Sequence, residues 1–203
     1  MNIQRVNTYH DHHFSQRVLN QHGCFLADNQ PIEVEIISQR EAEVRGNARE
    51  AFPAVIEEFR FFSPQITSFY DQSHNIVMEY SPASIFPLPM SLIQPSQFFV
   101  DEEKIKAIRE FTHSSTDVVI QVIRHNKRFI SLDGHTRLYY AVMMGWSEVY
   151  AVEADSGSYI LDFVKEAIRR GITAPWNLQL VDHATYEEKW NRFCDDYFAQ
   201  KNE

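Results

Sequence analysis

The chain has 203 residues, of which 44% are hydrophobic and 13% aromatic, and its formal net charge at pH 7 is −9. This apolar content is sufficient for a packed core, so global disorder is excluded. Contacts of Lys and Arg with phosphates supply most of the non-specific affinity of proteins for nucleic acids, so the acidic balance excludes a general nucleic-acid binder. We therefore expect no binding to duplex DNA in the absence of a partner.

Residues 1–6 lack the apolar run of a signal peptide, and no stretch reaches the length needed to cross a bilayer. Cys24 and Cys194 are the only cysteines, and their wide separation predicts no disulfide framework. We expect a cytoplasmic protein that does not associate with membranes. The sequence leaves the oligomeric state open.

Four polar residues near the start, His10, Asp11, His12 and His13, raise the question of a metal site. The three histidines are too close in sequence to enclose a zinc ion without distant ligands, and no His or Cys pair with metal-ligand spacing follows them. We expect a solvated turn before a short helix over residues 14–21, and no metal site.

The next segments predict a small α+β domain over residues 1–81, of unknown role. Residues 32–37 alternate apolar and charged side chains, which predicts a half-buried strand with Glu33 and Glu35 in water. The remaining predicted elements are a helix over residues 48–62, with an apolar stripe on one face, and a β-hairpin formed by residues 66–70 and 76–80.

Three prolines and several small residues in segment 81–89 predict a linker, after which residues 87–203 form a second domain. In this second domain Asp101 precedes a predicted helix whose inward stripe includes Ile105 and Ile108. The other predicted elements are a hairpin over residues 118–132, a strand over 149–152, a helix over 159–170 and a C-terminal amphipathic helix over 186–198.

The most informative stretch is residues 128–145, which predicts a strand, a tight turn and a helix that ends at Gly145. A helix that begins directly after a strand leaves several backbone N–H groups without an intrahelical partner, and these donors suit an anion. In the turn, Gly134 permits close approach of a phosphate, the Thr136 hydroxyl can donate, and the Arg137 guanidinium suits phosphate geometry. A turn followed by a capped helix explains the same residues without a ligand.

Residues 132–138, Leu-Asp-Gly-His-Thr-Arg-Leu, followed by an apolar helix and Gly145, resemble the core of the ParB/sulfiredoxin superfamily, whose signature at this junction is Gly-x-x-Arg. The resemblance covers residues 87–155, roughly a third of the chain. It implies a ParB/sulfiredoxin-like fold in the second domain, with a helical C-terminal extension, and a loop that binds nucleotide or phosphate groups. Fold and phosphate site transfer between members of such a family more safely than chemistry does.

Three branches of the superfamily differ at this loop. Sulfiredoxins carry a catalytic cysteine directly after the loop glycine, where this chain has His135. Partition proteins usually carry Gly-Glu-Arg-Arg and a later helix-turn-helix, and neither is evident here. The loop is most similar to that of the free-serine kinases, Asp-Gly-His-His-Arg, which Asp133, Gly134, His135 and Arg137 match while Thr136 replaces the second histidine.

The kinase resemblance has one departure on the substrate side. The kinases carry a His-Glu pair after an upstream proline, with the glutamate as general base, where this chain has Ser96 and Gln97. Glutamine cannot accept the substrate proton. We therefore expect a nucleotide- or phosphate-binding protein, either a small-molecule kinase of the serine type or a non-catalytic regulatory or interaction module that keeps the fold.

The resemblance also implies the ligands and the role of each residue. The expected ligand is an adenine nucleotide, ADP or ATP, accompanied by Mg²⁺ and a small-molecule substrate if the protein is a kinase. Gly134, His135, Thr136 and Arg137 are the expected nucleotide-binding residues. The expected catalytic residues are Asp133 and His135, and the expected substrate-side loop consists of Ser96 and Gln97.

Overall fold

The computed structural model describes residues 1–201, with helices and sheets in both halves of the chain, so the predicted α+β class is confirmed. The chain forms two compact units, Met1–Ile85 and a second unit that begins at Phe86. No helix within residues 1–201 has the length and apolar character required to span a bilayer.

The first unit contains one six-stranded sheet. Its strands are antiparallel to their neighbours except for the fourth and fifth, which run parallel because a helix connects them. In spatial order the strands are β1 (Ile3–Arg5), β2 (Cys24–Ala27), β3 (Gln30–Ile36), β4 (Glu41–Gly46), β5 (Ser68–Tyr70) and β6 (Ile76–Glu79), and the helices are α1 (Gln16–Asn20) and α2 (Phe52–Phe62). The predicted apolar stripe of α2 is buried in the core, where it packs on the sheet.

The prediction that Glu33 and Glu35 extend into water is wrong. Strand β4 places Arg45 directly opposite Glu33, so the guanidinium lies between the two carboxylates. Arg45 Nε is 2.5 Å from Glu33 Oε2, and Arg45 Nη1 is 2.7 Å from Glu35 Oε2. Periodicity along β3 could not reveal this cross-strand partner.

The second unit contains a five-stranded sheet and a separate two-stranded sheet. The five strands, in spatial order, are β7 (Ile85–Pro89), β12 (Glu148–Glu153), β10 (Val119–His125), β11 (Arg128–Ser131) and β8 (Ile93–Pro95). The two-stranded sheet pairs β9 (Phe99–Asp101) with β13 (Gln179–Val181) in parallel. The helices are α3 (Glu102–Arg109), α4 (His135–Met143), α5 (Tyr159–Arg169), α6 (His183–Tyr186) and α7 (Arg192–Lys201).

Part of the predicted linker is a strand. Residues 85–89 form β7, which lies at the edge of the five-stranded sheet next to β12. An edge strand tolerates Pro87 and Pro89 because the N–H groups that proline lacks are not needed on its outer side. The prolines are therefore compatible with a linker or with an edge strand, and the pairing of β7 with β12 shows that residues 85–89 form a strand.

The predicted C-terminal helix is present and longer than expected, because a π-helical segment, Glu187–Asn191, joins α6 to α7. Its aromatic face packs into the core of the second unit. The ring centroid of Phe98 is 4.9 Å from that of Trp190 and 5.2 Å from that of Phe193. Cys194 is half-buried near this face, and burial raises the pKa of its thiol to about 11, which favours a packing role.

Candidate functional site

The candidate site lies where β8 and β11 end. These strands run parallel, with Pro95 paired to Ser131, so their carboxyl ends lie at the same edge of the sheet. Ligands of open sheets commonly bind outside the carboxyl ends of parallel strands. The chain continues from β8 into Ser96 and Gln97, and from β11 into the turn that precedes α4. The structure therefore brings the two predicted segments together.

Helix α4 begins without a side-chain cap. Its N-cap residue is Gly134, with φ of 82°, and the first intrahelical bond runs from Leu138 N–H to the Gly134 carbonyl at 2.9 Å. The preceding N–H groups of the first turn therefore have no intrahelical acceptor. A Cβ at Gly134 would lie 2.7 Å from Ile120 Cγ2, so close packing as well as the left-handed backbone requires glycine.

His135 links the two segments. Its side chain is buried, and its Nε2 accepts the backbone N–H groups of Ser96 at 3.2 Å and Gln97 at 3.3 Å. The Ser131 hydroxyl is 3.0 Å from the same nitrogen, while the Ser96 hydroxyl donates to the Ser131 carbonyl at 2.7 Å. Because backbone N–H groups can only donate, Nε2 must be unprotonated. This arrangement favours a structural role for His135 over its predicted catalytic role.

Burial lowers the pKa of His135 to about 4; Asp133 opposes this shift and Arg137 adds to it. The unfolded chain binds a proton at the ordinary value of 6.5, so between these two values the unfolded state carries more protons than the folded state. The His135 contribution to stability is therefore complete above pH 6.5 and decreases as the pH falls towards 4.

We predict that the free energy of unfolding of the second unit decreases by about 2 kcal/mol between pH 7 and pH 5, and that His135→Gln removes most of this dependence. All three tryptophans, Trp146, Trp176 and Trp190, lie in the second unit, so urea unfolding followed by their fluorescence reports on it within the full chain. The control is His125→Gln, at the exposed end of β10. An unchanged slope in His135→Gln would contradict the prediction.

Arg137 folds back over the turn. Its Nη1 donates to the Val119 carbonyl at 2.6 Å, and its Nη2 donates to Asp133 Oδ2 at 3.1 Å. A Cβ on Gly134 would be 3.3 Å from both Nε and Nη2 of Arg137, so the guanidinium lies directly over the glycine. Arg137 therefore holds the loop in shape, and its remaining N–H donors lie at the start of α4.

The other predicted residues lie around the same turn. Thr136 is half-buried in the first turn of α4, and Asp133 is exposed. Gln97 is half-buried, and its side-chain amide donates to the Phe99 carbonyl and to the Tyr186 hydroxyl, the latter at 3.2 Å. The side-chain amide of Gln97 is thus already hydrogen-bonded, while its backbone N–H donates to His135.

Lys104 is a residue that sequence reasoning missed. It lies on α3, half-buried, and its Nζ is 3.3 Å from the Tyr186 hydroxyl and 4.3 Å from the centroid of that ring. Within residues 1–201 no carboxylate oxygen lies within 4.0 Å of Nζ. Burial lowers the pKa of Lys104, and Asp101, Asp133 and Glu187 act against this shift from farther away. The available sequence signal was its position four residues before the buried Ile108, at the border of the apolar stripe.

In the first unit, Asp11, His12 and His13 each offer one metal-ligating atom, and these atoms lie within 4.8 Å of one another. His12 and His13 are exposed, and the Asp11 carboxylate already accepts the backbone N–H of His13 at 2.9 Å and contacts its ring Nδ1 at 2.8 Å. These bonds explain the cluster as a local turn of the kind that aspartate commonly stabilises.

No protein-family model and no curated protein matches the chain. Among solved structures, the chain is similar to protein Atu1540 from Agrobacterium tumefaciens, with a TM-score of 0.32 and 16% identity over 46% of this chain. The chain spans about half the length of that structure, with 52% of it covered. A likeness of this size supports no argument about fold or function.

Proposed function

We propose that the second unit binds the phosphate groups of a nucleotide at the N-terminus of α4. The observation that carries the proposal is the uncapped first turn of this helix. Lys104 supports it, because Asp133 of the preceding turn acts on its pKa while no carboxylate oxygen within residues 1–201 lies within 4.0 Å of its ammonium group. Unpaired backbone donors and the positive end of the helix dipole favour an anion. A half-buried ammonium group also favours an anion, because a bound anion offsets the free-energy cost of burying the positive charge.

The ligand class follows from the groups around the turn. The N–H groups of the first turn, the Thr136 hydroxyl and the remaining Arg137 donors are all hydrogen-bond donors, as a phosphate requires. Asp133 is exposed beside them and is the carboxylate that would hold Mg²⁺ against the phosphates. The resemblance to the ParB/sulfiredoxin superfamily supports an adenine nucleotide, ADP or ATP.

The same arrangement suits a small-molecule kinase or a non-catalytic module. Phosphoryl transfer depends mainly on positioning and charge neutralisation, which this turn and Lys104 supply. The hydrogen-bonded amide of Gln97 favours the non-catalytic alternative, because a base is missing at the position where the kinase resemblance implies one. Nucleotide binding is common to both alternatives and is therefore tested first.

We predict that ADP and ATP bind to the wild type in the presence of Mg²⁺, and that Lys104→Met weakens this binding by about tenfold or more, since a charge-assisted hydrogen bond contributes roughly 1.5–3 kcal/mol. Isothermal titration calorimetry of the full chain with ADP, ATP and CDP measures the change. Methionine fills a similar volume without the buried charge, so folding should be preserved.

Lys127→Met is the matched control, because Lys127 is exposed in the turn between β10 and β11 and loses the same charge. Wild-type affinity in Lys104→Met would show that Lys104 does not contact the ligand. Absence of binding of all three nucleotides to the wild type would overturn the proposed function.

A further inference from the structure

The Tyr186 hydroxyl, on α6, accepts two hydrogen bonds from different elements of the second unit. Lys104 Nζ, on α3, donates to it at 3.3 Å, and the side-chain amide of Gln97, between β8 and β9, donates to it at 3.2 Å. An ammonium group can only donate. The Gln97 nitrogen also donates to the Phe99 carbonyl, so the nitrogen of this amide, and not its oxygen, faces the hydroxyl. Both lone pairs of the Tyr186 oxygen are therefore engaged.

The proton of the same hydroxyl has no acceptor in the part of the chain that the structure describes, since the two bonds above are the ones that Tyr186 makes there. The side chain is only 4% exposed, so bulk water does not surround it. Burial raises the pKa of Tyr186, and the oxygen therefore keeps its proton at neutral pH. A buried donor without an acceptor is costly, which indicates that a water or a ligand oxygen accepts this proton.

Lys104 favours a negatively charged oxygen over water at this position. After its bond to Tyr186, the ammonium group keeps two N–H donors, and within residues 1–201 no carboxylate oxygen lies within 4.0 Å of it. Burial lowers the pKa of Lys104, so a bound anion would offset an existing cost. One anionic oxygen can accept both from Lys104 and from the Tyr186 hydroxyl.

Asp101 holds these two donors in position without neutralising them directly. It is fully buried, and its Oδ1 caps α3 by accepting the Glu103 backbone N–H at 2.9 Å. Its Oδ2 is 2.7 Å from Nδ1 of His183, the first residue of α6. Lys104 and Tyr186 each follow these contacts by three residues, about one helical turn. Both carboxylate oxygens are therefore occupied in joining α3 to α6.

The two donors adjoin the turn before α4. The backbone N–H of Gln97 donates to the His135 ring at 3.3 Å, while its side chain donates to Tyr186. Helix α3 packs against α4, and Asp133 of the turn acts on the pKa values of both Lys104 and Tyr186. A ligand with several phosphate groups is therefore a suitable occupant for the start of α4 and for these donors together.

We propose that Lys104 and Tyr186 form a subsite for a phosphate oxygen, in which the Tyr186 hydroxyl donates its proton to the ligand. The inference rests on the proposed nucleotide-binding function and adds to that site a group from the C-terminal helical segment. The phosphate belongs either to the nucleotide held at α4 or to a separate phosphorylated ligand, and the experiment distinguishes these two sources.

The test compares the wild type with Tyr186→Phe by calorimetry of the full chain, with ADP and with inorganic phosphate at constant ionic strength. Phenylalanine keeps the ring and removes only the hydroxyl. We expect the affinity for ADP to fall by about tenfold or more, because a hydrogen bond to a charged oxygen is lost. Tyr197→Phe is the matched control. The Tyr197 hydroxyl lies in the same C-terminal segment and donates to Asp162 at 2.7 Å, so its loss should leave the affinity unchanged.

Urea unfolding with and without ADP separates ligand binding from a purely structural role. A ligand that binds only the folded state stabilises it according to the ratio of its concentration to Kd. If the hydroxyl donates to the ligand, the stabilisation that ADP produces should be smaller in Tyr186→Phe than in the wild type. An equal loss of stability with and without ADP would show that the hydroxyl supports only the fold, and would overturn the inference.

A measurement on the wild type makes the test independent of how well the variant folds. Acetylation by acetic anhydride, mapped by mass spectrometry, reports how accessible each lysine is. ADP or inorganic phosphate should slow the modification of Lys104 and leave the exposed Lys127 unaffected. A Lys104 that neither anion protects would overturn the inference.

The outcomes also separate the inference from the function on which it rests. Weaker ADP binding by Tyr186→Phe assigns the phosphate to the nucleotide. A loss confined to inorganic phosphate assigns it to a separate ligand, and the subsite stands. Unchanged affinity for both anions overturns the inference and leaves nucleotide binding intact. A wild type that binds no nucleotide overturns the proposed function, and the subsite then stands only if inorganic phosphate binds and Tyr186→Phe weakens that binding.

Discussion

Gly134→Ala is expected to lower the free energy of unfolding of the second unit by about 2–4 kcal/mol and to abolish nucleotide binding. Gly134 has φ of 82°, a conformation that costs other L-residues roughly 1–2 kcal/mol. The added Cβ would also lie 2.7 Å from Ile120 Cγ2, and overpacking of this kind costs about 1–3 kcal/mol. Because Ile120 and Arg137 both pack on this position, the turn must shift, and the first-turn N–H groups shift with it.

Gly145→Ala is the matched control for this prediction. Gly145 follows the other end of α4 with a similar φ of 71°, but no atom lies within 4 Å of the site of its Cβ. It should therefore show only the conformational cost, about 1 kcal/mol. Urea unfolding followed by tryptophan fluorescence measures both variants. Equal losses in the two variants would show that close packing at Gly134 contributes nothing.

Arg137→Ala is expected to weaken ADP binding by about tenfold or more and to destabilise the second unit. The guanidinium donates to the Val119 carbonyl and to Asp133. Its removal therefore takes one hydrogen-bond donor from that carbonyl and one from the Asp133 carboxylate. Hydrogen bonds from charged groups contribute roughly 1.5–3 kcal/mol each to stability or affinity. Calorimetry with ADP and urea unfolding measure the two effects independently.

Two further variants separate charge from shape at Arg137. Arg137→Lys keeps the charge but loses the planar fork, so it should recover only part of the affinity. Arg124→Ala removes an exposed arginine that pairs with Glu153 at 2.6 Å, and it should bind ADP as the wild type does. If Arg137→Ala is less stable but binds ADP normally, Arg137 holds the loop and does not contact the nucleotide.

The strand, turn and helix over residues 128–145 were predictable from the sequence because their signals are local. A short apolar strand, glycine at the turn and apolar residues at helical spacing each act within a few residues. The structure has β11 at Arg128–Ser131 and α4 at His135–Met143, and the left-handed Gly145 ends the helix as predicted. The N-cap role of Asp101 is a second local feature that the acidic helix start indicated.

The burial of His135 was not predictable from the loop. In sequence it lies in a polar turn, where a histidine is usually solvated. Its burial results from the parallel pairing of β8 with β11, which brings the N–H groups of Ser96 and Gln97 to its ring across almost forty residues of chain. No periodicity within either segment encodes that pairing.

The sequence by itself therefore determined the uncapped helix start at Gly134, since backbone conformation there depends on neighbouring residues and on the lack of a Cβ. Only the tertiary structure decided which side chains surround it. Lys104 and Tyr186 are 82 residues apart, as are Asp101 and His183, and both pairs depend on the parallel contact of β9 with β13. Such contacts arise when the C-terminal segment packs against the core. The free energy of that packing is distributed over many residues, so no short sequence pattern predicts the contacts.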